Sequence, residues 1–356
     1  MKHNRIIIYV VVFLFAIASA LTGYINSSFL EQYVNTYYLG IIYALSAILS
    51  ILCLFKIPNI LTRFGNRSVA ISSSVILLAS SVLLALGSSA IIIVPAFIIY
   101  FIASIFLLAS IDIFIEDFST SSPIGGIRGI LITTAHVGYI ISQLSLGSII
   151  AKGSYSGTYL VGALFIFLMS MIFIFWLRDF KDPVYEKVPI TKTILAFLQN
   201  KNIFYIYFVN LILMFFYAWM IIYAPIYLYE YIGFDWSDIG MIFSIMLLPF
   251  IFLPFPLGKL SDSIGEKKML IVGFFIISIS TLMIPFFTLK KLWLWALILF
   301  TTRLGAATIE TMSESYFFKS IKEENADELS FFRNTRPLSF VIAPLFATFV
   351  LLIVPS

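Results

Sequence analysis

Three ionisable residues lie in helical register inside one long apolar stretch near the C-terminus: Arg303, Glu310 and Glu314. At 100° per residue they fall within about 40° of one another, on a single stripe. Arg303 would sit about 16 Å from the start of that stretch at Leu292, near the middle of a membrane-crossing helix. A second stretch carries Asp112 and Glu116, four residues apart and therefore on one face. Charges within a bilayer are costly, so they face a cavity, a partner or an ion pathway. A guanidinium there can hold an anionic group, or tune Glu310. Glu310 or Asp112 can take up and release a proton as the hydration of a cavity changes. The competing reading is a structural Arg303–Glu310 pair that fixes helix packing. Glu116 and Glu314 lie closer to the ends of their stretches, where water can reach them. His136 could relay protons near neutral pH, and Gln143, seven residues on, shares its face.

The elements that must position these residues are membrane spans. The chain has 356 residues, 61% hydrophobic and 11% charged, with a mean hydropathy of +1.05. Soluble domains carry about a quarter charged residues. This balance excludes a soluble enzyme, a disordered regulator and a disulfide scaffold. Cys53 is the one cysteine, so a disulfide framework and a structural zinc site are excluded. No basic cluster is dense enough for nucleic acid. Eleven stretches are long and apolar enough to cross the membrane as helices: 6–27, 37–57, 69–88, 90–115, 130–151, 157–177, 203–228, 238–257, 269–289, 292–316 and 337–354. The predicted fold is an all-α polytopic bundle. Eighteen Lys and Arg lie in one alternating set of connections and three in the other. That bias puts the N-terminus in the cytoplasm of a multi-pass plasma-membrane protein. Ala18-Ser19-Ala20 imitates a secretory cleavage site, but the internal repeat needs that segment as a permanent helix.

The repeat has an offset of 200. It lays Leu39-Gly40-Ile41-Ile42 on Ile239-Gly240-Met241-Ile242, and Pro58 to Arg67 on Gly258 to Lys267. An offset of 198 pairs Asp112 and Glu116 with Glu310 and Glu314. Arg128 and Arg333 each open a span shortly afterwards. The halves are 1–178 and 203–356, with six and five spans, joined by the charged connector 179–202.

Gly258-x-Leu260-x-Asp262-x-x-Gly265-x-Lys267-Lys268, repeated in part as Arg63, Gly65 and Arg67, resembles the loop signature of the major facilitator superfamily. The resemblance covers the whole chain. It implies pseudo-twofold halves that rock for alternating access, with the first and fourth helix of each half lining the substrate cavity. Asn26 and Tyr24, then Asn210, Tyr217 and Trp219, lie on such helices. It also implies that the loop braces the opposite half, with Asp262 meeting Arg128. Thr62 replaces the acid and Pro58 the glycine in the first copy, so a weak first latch is expected. The family plan has twelve spans; here the twelfth is absent or cut away.

The function implied is secondary active transport of a small solute, coupled to protons. A facilitated uniporter and a non-transporting sensor or scaffold are the alternatives. No phosphate-binding loop, paired metal ligands or nucleophile beside His136 is present in the sequence, so no cofactor, no metal and no enzymatic activity are expected. The expected partners are the solute, protons and the bilayer, in a monomer.

Overall fold

The computed structural model describes residues 2–119, 124–177, 180, 182, 200–320, 332 and 334–353. The side chains of 2–5, 116–119, 124–129, 132, 318 and 351–352 lie outside what is described. Contacts divide the chain into two compact units, Met1–Glu186 with Pro344–Ser356, and Lys187–Ala343.

In the first unit the helices are α1 (Lys2–Gly23), α2 (Asn26–Glu31), α3 (Thr36–Leu54), α4 (Ile57–Phe64), α5 (Asn66–Leu86), α6 (Ala90–Ser119) and α7 (Ile124–Phe175). α1 packs along α7, α5 along α6 and α7, and α3 along α6. The apolar stretch 6–27 does not run as one helix. It ends at Gly23, and Asn26 belongs to α2. α7 carries two of the predicted spans. It breaks at Ser154, whose φ of 57° and ψ of −165° are not helical. Its apolar part, Thr133–Phe175, would be about 65 Å long if straight, twice the hydrocarbon thickness. The break therefore turns it into two arms.

The second unit holds α8 (Lys201–Ile226), a π-helical turn (Tyr227–Tyr231), α9 (Trp236–Leu247), α10 (Pro249–Phe252), α11 (Pro254–Ile264), α12 (Glu266–Met283) and α13 (Leu292–Ser320). α14 (Thr335–Ile353) begins in this unit. α13 is its axis and packs against α8, α9 and α12. α12 and α13 cross closely at two glycines: a Cβ on Gly305 would stand 2.7 Å from the Gly273 carbonyl oxygen. Side chains start several helices by accepting free main-chain N–H groups. Asn35 does so for α3, Asn200 for α8 and Asp235 for α9.

Gly65 (φ 76°) joins α4 to α5, and Gly265 (φ 90°) joins α11 to α12. Both need the left-handed region that a side chain disfavours. The two turns stand 200 residues apart, at the repeat predicted from sequence. Each of the eleven apolar stretches falls mostly on helix, and no strand occurs among the described residues. By length and hydropathy together, eight helices qualify as spans among the described residues, nine if the pair Trp236–Phe252 and Pro254–Ile264, bent by 48°, is one span. The difference from eleven comes from the two arms of α7 and from α14, whose apolar part, Thr335–Val350, is short.

Candidate functional site

Arg303 is 2% exposed on α13. Its guanidinium carbon lies 5.2 Å from the ring centre of Phe216 and 5.3 Å from that of Tyr217, both on α8. Nη1 has no hydrogen-bond partner. No carboxylate of a described residue comes within 4.0 Å of Arg303; the ion pairs among the described residues are both made by Lys319. The Arg303–Glu310 pair that the sequence allowed is not formed, because two turns of helix separate the residues. Tyr217 stands between them. Its ring lies beneath Arg303, and its hydroxyl donates to Glu310 Oε2 at 2.6 Å. Phe250 on α10 packs on the same ring, 6.2 Å between centres.

The arrangement is a buried cation on aromatic faces, next to a half-buried carboxyl held by a phenol. Cation–π contacts of this kind contribute about 2 kcal/mol when desolvated. A guanidinium has five N–H donors, however, and a ring face satisfies none of them in the way an oxygen does. This group can accept an anionic oxygen, while Glu310 can exchange a proton.

The other predicted residues are distributed differently. Glu314 is exposed. Asn210 donates to Thr335 Oγ1 at 2.7 Å and ties α8 to the start of α14. In the first unit Asp112 is half-buried on α6. Asn26 accepts from Tyr159 Oη at 2.5 Å. Tyr24 is buried, and Trp219 is half-buried. Gln143 is fully buried and donates to the Ala20 carbonyl at 3.0 Å, with its Oε1 unbonded. His136 is half-buried, its ring edge-on to Tyr139 at 5.7 Å. Glu116 and Arg128 are on helices, but their side chains fall outside the described residues.

The two loops differ in chemistry. In the second, Lys319 Nζ lies 2.5 Å from Glu266 Oε1 and 3.6 Å from Asp262 Oδ1, and Ser315 donates to Glu266 at 3.3 Å. Asp262 thus has Lys319 of its own half beside it. The hydrogen bond to Glu266, with Asp262 adding its charge, holds the Lys319 ammonium above the usual lysine range. Among the described residues, a Cβ on Gly258 would meet nothing within 4 Å. Lys267 is exposed.

In the first loop Asp182 supplies the acid that Thr62 does not. Its Oδ1 accepts from the Asn66 main-chain N–H at 2.6 Å, and a Cβ on Gly65 would stand 2.5 Å from its Oδ2. Arg67 donates to the Phe173 and Ile174 carbonyls at 3.1 and 2.8 Å, capping the end of α7. Asn66 Nδ2 donates to the Ser110 carbonyl. Arg63 lies over Phe64 at 5.1 Å. Within its own unit, then, the first loop is well bonded even though Thr62 and Pro58 replace the acid and the glycine of the signature. Sequence reasoning missed Phe216, Lys319, Glu266 and Asp182. Glu266 and Lys319 carried one usable signal, opposite charges at the same membrane face. Asp182 carried none.

Residues 8–353 match the model of the Major Facilitator Superfamily. No characterised protein matches the sequence at a significant level. Among solved structures, the chain is similar to a nucleoside transporter, NupG, at 12% identity with a TM-score of 0.74, covering 99% of this chain and 92% of that one. A bacterial homologue of the human lysosomal transporter Spinster, inward-facing and unoccupied, aligns at 12% identity and a TM-score of 0.73, over 98% and 82% of the two chains. A POT family transporter in complex with a thioalcohol-conjugated peptide aligns at 13% identity and a TM-score of 0.73, over 99% and 91%.

Proposed function

Because the chain belongs to the Major Facilitator Superfamily, a family of membrane transporters rather than enzymes, we propose that it is a secondary active transporter that moves a small anionic solute in exchange for, or together with, protons. The observation that carries this reading is Arg303, buried and unpaired beside the Tyr217–Glu310 hydrogen bond. Leaving a lone buried charge costs several kcal/mol, so a purely structural arginine would have a carboxylate partner. A solute carboxylate or phosphate supplies that partner only while it is bound. Glu310 then carries the proton, and Tyr217 links the two, since it touches both. Asp112, the counterpart of Glu310 at an offset of 198, is the second candidate for coupling.

In this reading the halves 1–178 and 203–356 rock about the connector, in a monomer in the plasma membrane with its N-terminus in the cytoplasm. The break between the two compact units falls in the connector, although residues 344–356 cluster with the first unit, and the lysine and arginine distribution supports the orientation. The neighbours bind different solutes, nucleosides in one case and a peptide in another, so the solute class rests on Arg303 alone.

The test is uptake into vesicles under an imposed pH gradient, with a panel of organic anions. Glu310→Gln should lose accumulation while exchange of solute for solute persists. If accumulation survives, Glu310 is not the coupling group and Asp112 takes that place; if the unaltered protein equilibrates the anion without accumulating it, the protein is a uniporter. If no anion in the panel moves, the reading fails.

A further inference from the structure

The apolar stretch 238–257 is bent in its middle, whereas its counterpart in the first unit is not. α9 with α10 and α11 meet at 48°, but α3 runs unbroken from Thr36 to Leu54. At an offset of 200, Pro249 and Pro254 stand on Leu49 and Leu54, and Phe250 on Ser50. Pro249 has no N–H for the Ile245 carbonyl, which takes the Leu248 N–H at 3.2 Å instead, in a tighter turn. Pro254 likewise has none for the Phe250 carbonyl. On the straight α3, Ser50 donates to the Ser46 carbonyl of its own helix at 2.7 Å.

Phe250 lies at that bend, on the four-residue α10 between the two prolines, and is buried. Its ring meets the Tyr217 ring edge to face, 6.2 Å between centres at 67°. Tyr217 is thus held at three points: by Phe250 on its ring, by Arg303 over its face and by Glu310 at its hydroxyl. A phenol tied by one hydrogen bond can still change rotamer, and an edge-to-face neighbour opposes that change. α10 and α11 also pack against α13, the helix of Arg303 and Glu310. The first unit has neither part: Ile17 and Ile105 stand where Tyr217 and Arg303 do, at offsets of 200 and 198. Of the ionisable groups around Glu310, Arg303 lies two turns before it and Glu314 one turn after it on α13. Asp238 is in the first turn of α9, and Lys259 and Asp262 lie nine and twelve residues past Phe250 on α11. α10 carries no ionisable group, and α12 carries none between Met269 and Met283.

We propose that Phe250 is a positioning residue for Glu310: the bend places it so that it keeps the Tyr217 phenol on the carboxyl, and movement of the bend releases that bond. The inference takes Glu310 as the proton carrier from the reading above. Phe250 itself touches neither proton nor solute and acts through Tyr217. A bend between two prolines, where the helix ladder lacks two N–H donors, is the place at which this stretch changes shape most easily. The proton affinity of Glu310 then follows the shape of the helix beside it.

The test uses the full chain reconstituted in phosphatidylcholine vesicles. Infrared difference spectra taken across a pH titration follow the Glu310 carboxyl band, identified by its loss in Glu310→Gln. Phe250→Leu should shift the midpoint of that titration in the direction in which Tyr217→Phe shifts it. The double variant should add little to Tyr217→Phe alone, because both changes act on one bond. Phe250→Met, a flexible side chain that refills the space and protects the fold, should give the same shift. Phe243→Leu, at a fully buried position of α9, should lower Tm as much and leave the midpoint where it was. Pro249→Ala with Pro254→Ala returns both N–H groups and should move the midpoint as Phe250→Leu does. Proton-driven anion uptake should fall about threefold in Phe250→Leu, the scale of one edge-to-face contact. An unchanged midpoint in Phe250→Leu and Phe250→Met, or an equal shift in Phe243→Leu, overturns the inference even where proton-driven uptake persists. An unchanged midpoint in the proline variant overturns the part given to the bend. The expected shifts in a protein that moves no organic anion would uphold the positioning role and remove the transport reading instead.

Discussion

The polar interiors of the two units solve the same problem in opposite ways. In the first, neutral groups bond one another across helices: Thr22 with Tyr100 at 2.8 Å, Tyr159 with Asn26, Ser142 with the Ile17 carbonyl, and Gln143 with the Ala20 carbonyl. In the second, the corresponding depth holds Arg303, bonded to no carboxylate, and a phenol on Glu310. Such neutral bonds rigidify a bundle even though single atoms, Gln143 Oε1 among them, stay unbonded. A buried charge without a carboxylate partner costs stability instead. The comparison teaches that the same kind of bundle can close its described interior with neutral bonds in one unit and keep a charge among aromatic rings in the other.

Arg303 should break this comparison most visibly, because stability and transport should move in opposite directions. Arg303→Met removes a buried unpaired charge, so Tm should hold or rise. Transport of the anion should fall by about 100-fold, the value of a charge-assisted hydrogen bond of about 3 kcal/mol. Arg303→Lys keeps the charge but loses the planar fork, and should fall between. A drop in Tm together with modest transport loss would make Arg303 structural and the two halves alike.

Tyr217→Phe keeps the ring beneath Arg303 and deletes only the 2.6 Å bond to Glu310. Transport should fall about tenfold, from a hydrogen bond to an ionisable group worth about 1.5 kcal/mol. Combined with Glu310→Gln, it should add much less than it does alone, because both changes remove one contact. Full additivity would show that phenol and carboxyl act separately, and that the second unit has no relay.

The neutral network of the first unit should respond in stability only. Asn26→Ala leaves the Tyr159 hydroxyl buried without an acceptor and should cost about 1–3 kcal/mol in thermal unfolding. The pH dependence of transport should not change. A changed pH profile would place chemistry in that neutral network.

Much of this was legible beforehand because the bilayer imposes it. Helix lengths follow from hydrocarbon thickness, and the offset of 200 located both glycine turns. The stripe of Arg303, Glu310 and Glu314 needed only helical periodicity. What sequence could not give was the partner of each group. Tyr217 is one of 19 tyrosines, and nothing local marks it as the one that reaches Glu310, 93 residues away. Asn210 was expected in the cavity for the same reason that it bonds Thr335: a polar side chain on an apolar helix must find some partner, and pattern alone does not say which. Asp182 shows the limit most clearly. Thr62 argued for a missing acid, and the chain supplied one from 120 residues downstream.

The loops give the smallest effect and the finest test. Asp182 accepts from the main chain at the start of α5, where the helix end itself favours a carboxylate, so Asp182→Ala should cost about 1 kcal/mol. Lys319 in the other half is exposed and held by side-chain charges alone. Such pairs are screened by salt and contribute little. Lys319→Ala should therefore lower Tm slightly in low salt, and the difference should vanish in high salt. The sign with pH follows from the raised Lys319 value: the contribution is present at neutral pH and disappears as pH rises through and above the ordinary lysine range. Equal salt dependence for Asp182→Ala and Lys319→Ala would mean that the two loops are braced alike. The contrast would then belong to the membrane interior alone.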